Sequence, residues 1–431
     1  MPGHQTRRTP YLYTAVVLDA SHRTTLTYRY ESLRAIAAGI VETASTTFLL
    51  LIAVRWFEAG PLAKGLIAAG SGLGYVVSPV IVSRVEAARL PVSQAASRLA
   101  LAAAAALAVS AVVPGEFLFV LTSMIAVAAS GAMSPLLTQI YQDNYPAAAR
   151  GRLFSRTVMI RIVTAAAFGG GGGYVLALNI GYFRALLATF AAALAFSSWC
   201  LAQVPSTPLH LSGGRHPLRA FAHVRDDRVF RSTLISWMFM GFANLMMLPL
   251  RIEYLASPKY QLMLRPDTIA LLTSVVPNLA RLVMSPIWGW LFDRMNFFVM
   301  RMTLNLGFAI GILAFFTSDS TLGLALAAVT FGISTAGGDV AWNLWVTKVA
   351  PAQRVADYMS VHTFFTGVRG LAAPLVGFAL AARWPMTTLG WLSAALIIVG
   401  SLILIPDARR GTLRQIPAPP VPPSTAAGET S

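Results

Sequence analysis

Apolar positions along this chain come in long unbroken runs rather than in the two- or three-residue bursts of a water-soluble fold. Runs long enough to cross about 30 Å of hydrocarbon fall at roughly 33–56, 62–83, 95–113, 117–141, 154–178, 183–203, 232–256, 268–291, 300–317, 321–346, 358–381 and 388–405. The pattern predicts twelve transmembrane helices. Several neighbours are joined by hairpin-length turns such as "VPGE" (113–116) and "TSDS" (317–320). The longest polar interruption, 204–231, falls between spans six and seven. It divides the chain into an arm (1–31), a six-helix bundle (32–203), a basic central loop (204–231), a second six-helix bundle (232–406) and a Pro-rich tail (407–431).

Composition supports this reading. Hydrophobic residues make up 56% and charged residues 12%, with a mean hydropathy of +0.64. A soluble domain has roughly 25% charged residues, so the surplus apolar surface must face lipid. The N-terminal segment has too short and interrupted an apolar run for a signal peptide and reads as a cytoplasmic arm. The tail "PAPPVPPSTAAGETS" has the composition of disorder. One cysteine, Cys200, excludes an internal disulfide. Only Lys64, Lys259 and Lys348 accompany the arginines, and with abundant alanine this suggests a GC-rich genome and a bacterial inner membrane.

The net charge of +16 is distributed by topology. With the N-terminus inside, 23 of the 33 cationic residues fall in cytoplasmic segments and six (Lys64, Arg184, Arg251, Lys259, Arg265, Arg383) toward the outside. This positive-inside bias places both termini in the cytoplasm and removes the case for nucleic acid as a partner. The halves also echo one another. "YPAAARGRLFS" before span five matches "VAPAQRVADYMS" before span eleven, with Pro146 and Ser155 on Pro351 and Ser360, each 205 residues later. Such duplication suits alternating access better than a channel.

Between spans eight and nine stands "GWLFDRMNFFVMR", Gly289 to Arg301. With twelve spans, a basic central loop and duplicated halves, this resembles the major facilitator superfamily over about residues 32–406. Gly289, Asp293 and Arg294 match the superfamily's loop motif, while Asn296 replaces its second glycine and Phe297 and Phe298 replace basic positions. The matching loop of the first half, "PVIVSRVEAARLP", has Ser83 in the acid's place. The resemblance implies an all-α integral membrane fold of two pseudo-symmetric bundles, acting as a monomer. It also implies that Asp293, oriented by Arg294, sits beside the start of span five, where helix N–H groups favour a carboxylate. There it would gate the cytoplasmic face.

Five glycines, Gly169 to Gly173, lie inside an apolar stretch with no Gly-Lys-Ser/Thr, so they form neither a phosphate loop nor a linker. Gly169 and Gly173 are four apart, the spacing of close helix contact in lipid, and Ala165 to Ala167 extend the small surface. In the resembling family span five meets span eight, and span two ("GLIAAGSGLG") meets span eleven ("GVRGLAAPLVG"). The glycines are expected to form a sliding seam and hinge, or a packing surface alone.

Ionisable residues at mid-membrane are costly and mark cavities or partners. Glu42, Arg161, Arg281, Asp339 and Arg369 qualify, and all lie on spans that the resemblance places lining or flanking the central cavity. Glu42, in "GIVETASTTF", suits proton coupling, or it bridges helices as a hydrogen-bonded group. Asp339 either binds a proton or pairs with Arg369. Arg161, Arg281 and Arg369 are candidates for an anionic or zwitterionic substrate, with Asn244, Trp342, Asn343 and Trp345 adding hydrogen bonds and an aromatic wall. In the alternative, the arginines are satisfied by Glu42, Asp339 and backbone carbonyls. Span five lacks the Gly-Pro motif of drug antiporters, and span two lacks the arginine of nitrate carriers.

The expected function is a proton-coupled secondary transporter of a small organic solute. Alternatives are an efflux carrier for amphipathic compounds or lipids, to which Met246, Met247 and the many aromatics would contribute, and a non-transporting assembly factor or sensor. No motif points to an enzyme, a cofactor or a metal site. The expected partners are the solute, protons and membrane lipids.

Overall fold

A computed structural model describes residues 20–209, 221–351 and 355–410. Twelve helices in it are long and apolar enough to cross a membrane. They are α1 (Ser21–Arg55), α2 (Pro61–Ala87), α3 (Val92–Val112), α4 (Glu116–Asn144), α5 (Ala147–Leu178), α6 (Ile180–Ala202), α7 (Arg228–Ala256), α8 (Pro266–Arg294), α9 (Phe297–Thr317), α10 (Thr321–Val349), α11 (Val355–Ala381) and α12 (Met386–Arg410).

Local chemistry sets their starts. Pro61 and Pro266 open α2 and α8, where the missing N–H costs nothing. Asp227, Asn296 and Ser320 cap α7, α9 and α10, accepting from the backbone N–H of Phe230, Phe298 and Gly323 at 3.0, 2.9 and 3.1 Å. Two ends differ from the sequence expectation. The arm was expected to reach residue 31, yet α1 is already helical at Ser21, and α12 runs past 406 to Arg410. Side chains hold the extra turns of α1: Thr24 donates to the Asn144 carbonyl at 2.8 Å, and Asn144 donates to Thr27 at 2.9 Å. Hydropathy does not register turns held by polar contacts.

Packing repeats six helices later. In the first bundle α1 packs on α5 and α6, α2 on α4, and α3 on α4 and α6. In the second α7 packs on α11 and α12, α8 on α10, and α9 on α10 and α12. The bundles meet through α2 with α11, α5 with α8, and α1 with α7. Each inter-bundle pair maps onto another, or itself, under a two-fold exchange. The fold is therefore all-α, twelve transmembrane helices in two pseudo-symmetric six-helix bundles.

The α2–α11 contact needs glycine on both sides. A Cβ on Gly72 would strike the backbone of Gly370 and Leu371, and one on Gly367 would press on Val76 at 2.9 Å. Two further features sit at the α1–α8 level. Each helix widens into a π-turn, at Ala44–Phe48 and Leu271–Val275, and these turns touch. Such turns are rare and cluster at functional sites.

Candidate functional site

Between the bundles, at mid-membrane, four charged side chains form a chain of ion pairs. Arg281 of α8 donates from Nη1 to Glu42 Oε1 of α1 at 2.7 Å and from Nε to Asp339 Oδ2 of α10 at 2.7 Å. Arg161 of α5 pairs with the other Glu42 oxygen at 3.0 Å, at an angle too bent for a hydrogen bond. Arg281 also reaches Asn278 Oδ1 at 3.4 Å. The Arg281 side chain is 9% exposed, whereas Asp339 is 42% and Arg161 36% exposed. The network thus has a buried centre and accessible ends.

The π-turns and glycines frame this tetrad. Thr47 and Thr273, one from each π-turn, share a hydrogen bond of 3.1 Å. Ser274 donates to the Ala165 carbonyl of α5 at 3.2 Å. The glycine run lies in an unbroken helix: a Cβ on Gly169 would strike Ser274, one on Gly172 would meet Phe48 at 2.9 Å, and one on Gly173 would collide with Ala270. Gly169 and Gly173 therefore face α8, and Gly172 faces α1. Missing side chains let three helices close around the charges.

On the side away from the described chain ends, the bundles are locked. Lys64 donates to Glu253 Oε2 at 2.7 Å with both groups buried, and Arg55 donates to the Leu264 carbonyl at 2.7 Å. On the opposite side Asp293 is exposed and makes no ion pair among the described residues, Arg294 lies over the Trp290 ring at 4.4 Å, and a Cβ on Gly289 would meet nothing within 4 Å. Among the described residues Asp293 is thus not paired with α5, in contrast to the contact that the resemblance implies.

Arg369 requires a second correction. Asp339 pairs with Arg281 and not with Arg369, which turns into the second bundle and donates to the Trp237 carbonyl at 2.7 Å and to Thr366 at 3.0 Å. Gly241 leaves the space its guanidinium fills. The tetrad therefore balances two cations against two acids, instead of three against two. Asn244 is half-buried, and its Oδ1 has no hydrogen bond among the described residues. Trp342 is half-buried, with its ring 5.7 Å from His362, while Trp345 is fully buried and stacks on Phe230. The side chain of Asn343 lies outside the described residues. Met246 and Met247 are buried in the packing of the second bundle, so they present no surface to an amphipathic guest.

The sequence reading also missed buried charges near span ends. Lys64, Arg251 and Arg301 lie near span ends, yet each is less than a tenth exposed. Their only sequence signal is a position one turn inside an apolar run.

Comparison with known proteins agrees with this fold. Residues 252–429 match the model of the Major Facilitator Superfamily. No curated protein matches the chain. Among solved structures, the nucleoside transporter NupG is similar at a TM-score of 0.68 and 13% identity, covering 87% of this chain and 97% of that one. A POT family transporter in complex with a thioalcohol conjugated peptide gives 0.69 and 14%, covering 90% and 96%. The inward open xylose transporter XylE from E. coli gives 0.59 and 16%, covering 91% and 95%.

Proposed function

We propose that this chain, a member of the major facilitator superfamily, is a secondary active transporter that exchanges a small zwitterionic solute against the Glu42–Arg281–Asp339 network and couples its movement to a proton. The observation that carries this reading is Arg281, which pairs at once with an acid of the first bundle and an acid of the second. Alternating access requires the two bundles to rock, and no rocking motion can leave both pairs intact. Rocking breaks the Glu42–Arg281 pair, while Arg161–Glu42 stays within the first bundle and Arg281–Asp339 within the second. Glu42 and Arg281 each lose one partner, which costs less than the ~3–5 kcal/mol of a wholly unpaired buried charge, and something must replace it.

A solute carrying a carboxylate and an amine can do so, the carboxylate taking Arg281 and the amine taking Asp339 or Glu42. The two-against-two balance of the tetrad favours such a solute over a simple anion. Glu42 holds Arg161 and Arg281 with its two oxygens, so it gains a proton only by giving up those pairs. Proton binding and release of the bridge are then one event. Asn244 is the neutral hydrogen-bonding group available to the solute. The alternating-access mechanism also gives Asp293 a role: in the opposite state it closes on the first turn of α5, with Gly169 and Gly173 as the sliding surface. The positive-inside bias supports placing the side that carries the described chain ends in the cytoplasm, which makes the present state inward-facing.

The test is thermal stabilisation of the detergent-purified protein by amino acids, dipeptides, nucleosides, lipids and amphipathic cations, followed by dye-reported proton uptake in vesicles. A zwitterion should stabilise the native protein, and Arg281→Gln should weaken its binding by roughly ten-fold or more, the loss of a charge-assisted hydrogen bond. Glu42→Gln should abolish proton movement while solute exchange persists, and Asp293→Asn should slow turnover several-fold. Stabilisation by lipids or cations alone, indifferent to Arg281, would move the assignment to efflux; native turnover in Asp293→Asn would remove it from gating.

A further inference from the structure

The second bundle contains a set of nitrogen donors that the tetrad does not use. Arg301 of α9 is 1% exposed, Arg369 of α11 is 3% exposed, and His362 of α11 is fully buried against the rings of Trp237 and Trp345. Arg301 stacks on Trp237 with its guanidinium carbon 3.8 Å from the ring centroid, and Arg369 reaches the same ring at 5.6 Å. Neither arginine pairs with an acid among the described residues. Both terminal nitrogens of Arg301, Nε of Arg369, both ring nitrogens of His362 and the indole nitrogens of Trp237 and Trp345 are buried without a hydrogen-bond partner.

Two guanidiniums out of water cost several kcal/mol each unless compensated, and buried donors without acceptors add to that penalty. Stacking on Trp237 returns only about 2 kcal/mol, and one carbonyl and one hydroxyl cannot balance two full charges. Apart from the one acceptor nitrogen of a neutral His362, donors and cations converge here, which defines the complementary partner as an anion.

We propose that Arg301 and Arg369, with Trp237 and His362, bind a small monovalent inorganic anion of the halide class inside the second bundle. The charge follows from solvation: the cost of drying an ion rises with the square of its charge, so a site walled by the Trp237, Trp345 and Phe230 rings selects a weakly hydrated monoanion over a phosphate or sulfate dianion. N–H donors from both guanidiniums and the rings replace its water. Placed there, the ion ties α7, α9 and α11 together, so that the second bundle moves as one body. This site is independent of the central tetrad and of any solute bound to it.

The experiment uses the full chain in detergent at fixed ionic strength, with sodium gluconate replaced stepwise by chloride or bromide. A halide should raise Tm saturably, by about 4 °C for a ligand at a large excess over its Kd. Bromide should quench tryptophan emission along the same saturation curve. Arg301→Gln and Arg369→Gln should lose both effects, and Arg281→Gln should keep them. Should the two variants fail to fold, the wild-type titration decides: equal Tm in halide and gluconate with purely linear quenching overturns the proposal. Stabilisation by phosphate or sulfate but not by halide overturns the monoanion assignment. A halide effect that survives in both variants places the ion elsewhere and equally overturns it.

Discussion

A lysine ammonium and a glutamate carboxylate removed from water are each costly, and Lys64 and Glu253 offset that cost mainly through each other, with the Phe378 ring 5.7 Å from the ammonium. Their 2.7 Å contact joins α2 to α7 on the locked side of the molecule, so it exists only while that side is shut. Glu253→Gln should leave Lys64 buried and unpaired, at about 3–5 kcal/mol, and so favour the state open on that side. The check is labelling of a cysteine introduced at Ala63 in a Cys200→Ser background. Faster labelling with a lowered Tm is expected, and native labelling would show that the pair is not a latch. Replacing both residues by Met should restore much of the Tm. At this scale the sequence revealed which charges are unusual but not whom they meet. Glu42, Arg161, Arg281 and Asp339 stand out against apolar neighbours, whereas the choice of Arg281 over Arg369 by Asp339 depends on helix rotation, which no pattern of hydropathy encodes. Lys64 and Arg301 escaped notice because a charge one turn from a span end looks like a flank until tertiary packing covers it.

The five-glycine helix shows how an element is shaped by what it must approach. Glycine costs a helix roughly 1 kcal/mol per residue relative to alanine, and α5 bears that cost five times in succession. Three of the positions explain it by contact, since Cβ atoms on Gly169, Gly172 and Gly173 would strike α8 or α1. Gly171 is exposed with nothing within 4 Å of a Cβ. Gly171→Ala should therefore raise the Tm slightly, by the helix-propensity gain of about 1 kcal/mol, whereas Gly173→Leu should wedge α5 from α8 and yield unstable or aggregated protein. Melting and size-exclusion profiles of the two variants check this, and a well-behaved Gly173→Leu would mean that the seam does not need close approach there. The four-residue spacing made this surface legible in the sequence. The π-turns opposite it were not, because "ASTTF" and "LLTSV" carry no mark that separates a wide turn from an ordinary one.

For the whole molecule, the twelve spans and their duplication follow from the alternation of apolar runs and polar joints, and the structure adds a two-fold exchange that relates the main packed pairs of one bundle to those of the other. The conformation adopted was not legible, since one sequence must support both states of a rocking pair of bundles. The balance of charge at the centre has a consequence for energy supply. Two cations and two acids cancel, and a zwitterion changes nothing in that sum, so a proton carried with it leaves the loaded protein one elementary charge richer than the empty one. Each turnover would then move net charge across the bilayer, and a potential of 100 mV supplies about 2.3 kcal/mol for that movement, enough for a roughly fifty-fold accumulation of solute without any pH difference. Vesicles adsorbed on an electrode should give a transient current when a stabilising zwitterion is added. Transport without current would mean that the charge is returned within the cycle, and the membrane voltage would then have no hold on the protein.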